Sequence, residues 1–223
     1  MLIGFFTGLT GISFLPAQSP QIDSLESLLK EQSEAKQIET HYSLAKLHQQ
    51  ENVDSALISL QKGLSLAQQL NLGELIIEGY NALAIHWYYR GQTDSGLVWV
   101  QKSLKILPDT PSLARGTSYS HYGLLLAQQG RYEDATLWHL QALKESETLG
   151  DSAGIVRSQH NLGRVYGFLG DIDQAVNWYK KALELSQLLG QESHSAKILG
   201  NLGQIMLNAG RLEEAFSYQT QSL

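Results

Sequence analysis

Residues 161–182, NLGRVYGFLGDIDQAVNWYKKA, contain the phrase that decides the fold, because this phrase returns along the chain at a nearly fixed interval. The second copy is one residue out of step, and the first copy is weaker than the others. The five openings of the phrase are Leu44-Ala45, Leu83-Ala84, His121-Tyr122-Gly123, Asn161-Leu162-Gly163 and Asn201-Leu202-Gly203. Self-similarity at a period of about 40 residues indicates a stack of identical supersecondary units rather than a globular enzyme domain.

Each copy predicts two antiparallel helices, which we call helix A and helix B. In the fourth copy, apolar residues at mixed steps of three and four predict helix A over 152–169 and helix B over 172–189. Gly170 is expected to end helix A, because glycine adopts the left-handed conformation without strain, and Asp171 is expected to cap helix B. The equivalent boundaries after helix B are expected at Gly73, Gly150 and Gly190.

The small residues of the phrase predict where the helices approach each other most closely. Gly163 on helix A and Ala175 on helix B are expected to lie at this contact. Larger side chains there would overpack the contact, typically at a cost of about 1–3 kcal/mol.

The quoted phrase resembles the tetratricopeptide repeat (TPR), whose pattern Asn-Leu-Gly-x-x-Tyr, Gly-Asp, Ala, Tyr, Ala it follows from Asn161 to Ala182. The resemblance covers about residues 34–223 and is strong in the last four copies. It implies an all-α fold, a right-handed α-solenoid of about five antiparallel helix pairs. The period of about 40 exceeds the usual 34 of the family and resembles repeats of bacterial signalling regulators and scaffolds.

The repeats divide the chain at about 34–72, 73–110, 111–150, 151–190 and 191–223, the last repeat being incomplete. Before them, an apolar stripe that begins after Pro20 predicts a covering helix within residues 18–33. At the other end, helix B of the fifth copy begins near Leu212 without a following polar cap, which solenoids need. We therefore expect the chain to be a fragment of a longer protein, or its last helix to be covered by another chain or copy.

Residues 2–15 form an apolar run, and no charged residue precedes Asp23. This run is too short to span a membrane comfortably, but it suits the central region of a secretory signal. We expect a signal peptide over residues 1–17 and export, to the periplasm. No Lys or Arg precedes the run and Leu15 is bulky for its place before the cut. A misassigned start, or an apolar tail of a cytoplasmic protein, therefore stays open.

The composition excludes several classes of function. The net charge is −6 with no basic block, which argues against nucleic acid as a partner. The absence of cysteine excludes disulfides, thiolate catalysis and zinc–thiolate sites. The seven histidines form no His-Glu-x-x-His motif, and Asp171-x-Asp173 lacks the remaining ligands of a calcium loop. The sequence therefore predicts no enzyme, no cofactor and no metal site.

The resemblance implies that helix A lines the concave face of the solenoid. In the family, inward-facing positions lie six and three residues before, and one, four and five after, a small residue. That small residue is Ala45, Ala84, Gly123, Gly163 or Gly203 in the five copies. The implied inward-facing side chains include Glu39, Lys46, Glu78, Ile85, Thr117, Leu124, Gln204 and the candidate residues below.

Four side chains of the last two copies predict a cationic strip on that face. Arg157, His160 and Arg164 fall on one face of a helix, and Lys197 lies on the neighbouring helix, beside Phe168. Such a strip suits an acidic peptide, since arginine makes forked hydrogen bonds to carboxylates. The alternative is a solvated helix face that carries ordinary charges.

Two further pairs are candidates for partner contact. Tyr88 and Tyr89 are expected either to anchor a partner, since interfaces are rich in aromatic residues, or to pack against the adjacent helix. Asn161 and Asn201 match family positions that contact a bound peptide backbone, and helix-to-helix hydrogen bonds are the alternative.

The sequence thus favours a non-catalytic scaffold that binds a peptide or helix of a partner protein in the concave groove. The alternative is the sensory N-terminal region of a longer bacterial signalling protein that carries a histidine kinase, cyclase or transcriptional regulator. Neither reading needs a membrane span within this chain. Self-association through the uncapped last helix stays open.

Overall fold

The computed structural model describes residues 20–222, and within them it contains eleven α-helices and no β-strand. The signal peptide that the sequence predicts over residues 1–17 lies outside the described residues. The helices are α1 Pro20–Leu28, α2 Glu34–Glu51, α3 Val53–Gln69, α4 Gly73–Tyr89, α5 Thr93–Lys105, α6 Leu113–Gln128, α7 Tyr132–Leu149, α8 Ser152–Leu169, α9 Ile172–Leu188, α10 Glu192–Asn208 and α11 Leu212–Gln221.

The helices stack in sequence order as five antiparallel pairs, from α2–α3 to α10–α11, which confirms the predicted all-α solenoid. Each helix B also packs on the helix A of the following pair. Successive A helices contact one another, whereas among the described residues successive B helices do not. The stack therefore curves toward its A helices, and these helices line the concave face.

Glycines and short polar side chains end one helix and start the next. Gly170 adopts φ +80°, and its N–H and that of Asp171 donate to carbonyls of the last turn of α8. The Asp171 carboxylate then accepts a hydrogen bond from the Gln174 N–H at 3.0 Å, as predicted for the cap of α9. Between the first two repeats the prediction is wrong in detail. There Asn71 takes the left-handed conformation with φ +52°, and Gly73 is instead the first residue of α4.

The close approach within a repeat lies between a glycine of helix A and a ring of helix B. A Cβ placed on Gly163 would lie 2.7 Å from Cδ1 of the buried Tyr179 ring. Gly123 lies in the same way against the His139 ring. The sequence correctly placed Gly163 at a tight contact, but the ring of Tyr179 fills it, not Ala175, which is itself fully buried one turn away.

At the first repeat, α1 packs on α2 through the fully buried Ile22. At the last repeat, Leu212 and Phe216 of α11 are 64% and 75% exposed. Within residues 20–222, every helix falls short of the length or the apolar character that a bilayer crossing requires.

Candidate functional site

The four side chains of the predicted cationic strip stand on the A helices α8 and α10. His160 stands at its centre, and its Nε2 accepts a hydrogen bond at 2.7 Å from the side-chain amide of Asn201 on α10. The pKa of His160 is lowered to about 4, first by burial and then by the nearby positive charges of Arg164, His194 and Lys197. The structure therefore brings Arg164 and Lys197 into the same neighbourhood as His160, which is neutral at pH 7.

Two more histidines, one on α6 and one on α7, have arginines of the strip as charged neighbours. Burial lowers the pKa of His121 to about 3, with a further contribution from the positive charge of Arg157. Burial also lowers the pKa of His139 to about 3, and Arg164 is the largest of its charged neighbours. His139 is fully buried, and neither ring nitrogen has a hydrogen-bond partner. Arg157 and Arg164 thus also lie near buried histidines of α6 and α7, a proximity that sequence reasoning missed because these histidines lie on other helices of the stack.

In the part of the chain that the structure describes, the three cations of the strip form no ion pair with a carboxylate. The ion pairs found between residues 20 and 222 use other residues, and none involves Arg157, Arg164 or Lys197. Arg157 is half-buried, and its Nε atom is buried without a hydrogen-bond partner. Unneutralised cations on a concave surface concentrate the potential and attract anionic ligands.

Asn161 and Asn201 both contact the preceding A helix. The amide of Asn161 donates to Ser120 Oγ at 3.4 Å, and that of Asn201 donates to His160 Nε2 at 2.7 Å. Asn161 is only 7% exposed. Both amides thus make helix-to-helix hydrogen bonds, the second of the two roles that the sequence left open.

Two aromatic rings are exposed on the A helices: Phe168, one turn after Arg164 on α8, and Tyr89, on α4. Phe168 is 58% exposed and stacks on Tyr132 of α7, with ring centroids 5.1 Å apart and planes inclined by 13°. Tyr89 is 66% exposed and meets the Tyr88 ring edge-on at 5.4 Å. Tyr88 itself is half-buried against the apolar cluster of α4, α5 and α6. Tyr89 and Phe168 therefore present free aromatic surface, whereas Tyr88 mainly supports Tyr89.

The surface offers an open groove rather than an enclosed cavity. A shallow depression of about 710 Å³ lies at the turns of the second and third repeats, lined by Gly91, Thr93 and Arg131 among others. It does not include the strip. No group of three or more acidic, histidine or cysteine side chains suited to a metal ion occurs among residues 20–222. An open concave face of this kind suits a macromolecular partner better than a small molecule.

Comparisons with known proteins agree with this architecture. A family model described as Tetratricopeptide repeat matches residues 114–188 and 155–223. The chain is similar to the crystal structure of BtubC from P. vanneervenii, with TM-score 0.71 and 23% identity, over 92% of this chain and 86% of that chain. It is also similar to a Rap protein complexed with Competence and Sporulation Factor, with TM-score 0.75 and 17% identity, over 92% of this chain and 58% of that chain.

A third similar structure is a Signal Transduction ATPase with Numerous Domains from Pyrococcus horikoshii, which has a tetratricopeptide repeat sensor. Its TM-score is 0.68 and its identity 20%, over 89% of this chain and 32% of that chain. No curated protein matches the sequence. At these identities the solved structures establish the fold alone. The chain belongs to the tetratricopeptide repeat family, as its repeated helix pairs, its glycine–aromatic contacts and the matching family model together show.

Proposed function

We propose that this chain is a non-catalytic scaffold that binds a peptide or helix of a partner protein on its concave face. The cationic strip of Arg157, His160, Arg164 and Lys197 contacts acidic side chains of that partner. One observation carries the proposal: three cations share an open concave surface and have no carboxylate partner among the described residues.

The energetics favour a cluster over single contacts. One exposed ion pair contributes about 0–1 kcal/mol, so an isolated arginine would bind little. Several cations in one concavity reinforce each other, because the same acidic segment satisfies them together and the groove excludes part of the water. The exposed rings of Tyr89 and Phe168 add apolar anchors, which are common among residues that dominate binding. The Rap protein in complex with Competence and Sporulation Factor supports the use of this fold for binding a factor.

Fluorescence anisotropy tests the proposal with a fluorescein-labelled peptide of alternating glutamate and leucine. We expect the double variant Arg157→Ala, Arg164→Ala to weaken binding at least about tenfold, which corresponds to about 1.4 kcal/mol. The matched control is Arg131→Ala, Arg211→Ala, which removes two arginines that already pair with Asp134 and Glu214 at the start of helix B. Equal affinities of the two double variants, both folded by circular dichroism, would refute the strip as the binding site.

A second candidate function is the sensory region of a longer bacterial signalling protein. The likeness to an ATPase with a tetratricopeptide repeat sensor favours it, since this chain covers 32% of that protein. Sequencing the source locus beyond the Leu223 codon tests this reading. An open frame that runs into an output domain supports it, and an immediate stop codon contradicts it.

We also propose that the protein is exported to the periplasm, because the apolar run of residues 2–15 suits a secretory signal. N-terminal sequencing of the protein purified from its source tests the proposal. A mature chain that begins near Gln18 is the expected result, and an intact Met1 would contradict it.

A further inference from the structure

One position of the repeat changes its charge systematically along the concave face. This position lies six residues before the small residue of each A helix, on α2, α4, α6, α8 and α10 in turn. Its five occupants are Glu39, Glu78, Thr117, Arg157 and Lys197. The equivalent side chains therefore pass from negative through neutral to positive along the stack.

The α2–α4 end of this series carries Glu39 and Glu78, and we call it the negative end. Glu78 is its carboxylate without an ion-pair partner among the described residues. It is exposed and forms no ion pair with any other residue that the structure describes. Desolvation by the surrounding protein raises its pKa, and the negative charge of Glu39 raises it further. Glu39 is itself paired with Lys36, and Lys46 also lies on this face. The negative end is thus weaker than the positive end, and Glu78 provides most of its unpaired charge.

The floor between the two ends is apolar. The position one residue after the small residue holds Ile85 on α4 and Leu124 on α6, both half-buried. The same position holds Arg164 on α8. Tyr89 lies beside Ile85 with two thirds of its surface free, at 66% exposure. A ligand that follows the A helices from α4 to α10 therefore meets a carboxylate, then apolar side chains, then cations.

We propose that the groove selects a segment whose two ends carry opposite charge, and that it holds the segment in one direction. The acidic end lies over α8 and α10, apolar residues lie over α4 and α6, and a basic end lies near Glu78. This inference rests on the proposed function and adds the charge pattern and direction of the ligand.

The dimensions of the stack fit such a segment. Packed helices lie about 8–10 Å apart, so α4 and α10, three repeats apart, are separated by about 30 Å. An extended chain covers about 3.3 Å per residue, which gives about nine residues between the two charged ends. The Debye length at physiological salt is about 8 Å, so each end of the groove acts on its own end of the ligand.

A directional crosslinking experiment tests the inference. The probe is a synthetic peptide of about twelve residues with a glutamate block, a leucine-rich centre and a lysine block, carrying a benzophenone at its glutamate end. After irradiation, mass spectrometry locates the crosslinks. In the native protein we expect about tenfold more crosslinks within residues 152–208 than within residues 34–89.

A charge exchange gives the decisive comparison. The double variant Glu78→Lys, Lys197→Glu leaves the net charge unchanged and alters two exposed side chains. We expect it to lower the preference of the glutamate end for residues 152–208 from about tenfold to about twofold, because Arg157 and Arg164 stay in place on α8. The matched control Lys180→Glu, Glu184→Lys exchanges two exposed charges on helix B of the fourth repeat and should leave the crosslinks in place.

The outcomes separate this inference from the proposed function. Equal crosslinking at both ends of the groove, with the peptide still bound there, overturns the direction and leaves groove binding intact. A preference of the glutamate end that stays at about tenfold in the charge-exchanged variant also overturns it. Loss of all binding, both of this peptide and of the glutamate–leucine peptide, overturns both.

Discussion

Replacing Gly163 by alanine should destabilise the solenoid, whereas the same replacement at Gly200 should stabilise it. Both glycines lie inside A helices, Gly163 in α8 and Gly200 in α10. A Cβ on Gly163 would lie 2.7 Å from Cδ1 and 2.8 Å from Cγ of Tyr179. These atoms belong to the root of a ring that is only 2% exposed, so the ring cannot swing away. A Cβ on Gly200 would meet no atom within 4 Å.

The comparison isolates the energy of the contact. Alanine favours a helix interior over glycine by about 1 kcal/mol, and this gain is common to both variants. Overpacking a tight core contact costs about 1–3 kcal/mol, and only Gly163→Ala incurs it. We therefore expect Gly200→Ala to be about 1 kcal/mol more stable than the native protein. Gly163→Ala should be less stable than Gly200→Ala by about 1–3 kcal/mol.

Urea denaturation followed by circular dichroism at the helix band measures these differences. The transition must first be shown to be single, because stacked repeats can unfold in parts. A Gly163→Ala variant that is as stable as Gly200→Ala would refute the tight contact between Gly163 and Tyr179. That contact is the feature that fixes how helix A and helix B of the fourth repeat pack.

Three further perturbations test other parts of the account. His139 has a pKa lowered to about 3 by burial, so its contribution to stability is complete above its unfolded pKa of about 6.5 and is lost as the pH falls toward 3. Between pH 7.5 and pH 5.0 the free energy of unfolding should therefore fall by about 2 kcal/mol on account of His139, as measured by urea denaturation at the two pH values. The variant His139→Phe should lose less stability over the same pH interval. An identical loss in both proteins would contradict the role given to His139. Asp171→Ala removes the side chain that accepts from the Gln174 N–H and should lower the free energy of unfolding by about 1 kcal/mol in the same assay. The control Asp173→Ala removes no cap and should lower it less. Equal losses in the two variants would argue against capping by Asp171. Raising the salt concentration from 50 to 300 mM should weaken binding of the glutamate–leucine peptide severalfold in anisotropy titrations, and a salt-independent affinity would exclude the cationic strip as its main contact.

Residues that end or cap helices made much of the fold predictable from the sequence. The Gly170-Asp171 pair places a left-handed residue and a cap side by side, and α8 and α9 accordingly end and begin at Leu169 and Ile172. Before α4 the sequence pointed to Gly73 as the residue that ends helix B, whereas Asn71, two residues earlier, adopts the left-handed conformation there. Asparagine tolerates this conformation, but it does so too irregularly for the sequence alone to identify it.

The candidate site was less accessible to sequence reasoning. Helical spacing places Arg157, His160 and Arg164 on one face, because that relation is local. The lack of a compensating carboxylate depends on side chains from other helices. The contact between Asn201 and His160 joins residues 41 positions apart, and the period suggests it without fixing its partner atoms. Phe168 stacks on Tyr132 at the positions where the preceding repeat has a hydrogen bond from Thr93 to Gln128, so the repeat relates the two contacts but does not predict their chemistry.

Footprinting with a side-chain label tests most directly whether a partner binds on the concave face. The protein is labelled by hydroxyl radicals with and without saturating glutamate–leucine peptide, and mass spectrometry measures the modification of each residue. Tyr89 and Phe168 on A helices, at 66% and 58% exposure, serve as reporters, and Leu137 on a B helix, at 60% exposure, is the matched control. We expect strong protection of Phe168, weaker protection of Tyr89 and unchanged labelling of Leu137. Protection of Leu137 while Phe168 and Tyr89 stay fully reactive would contradict it.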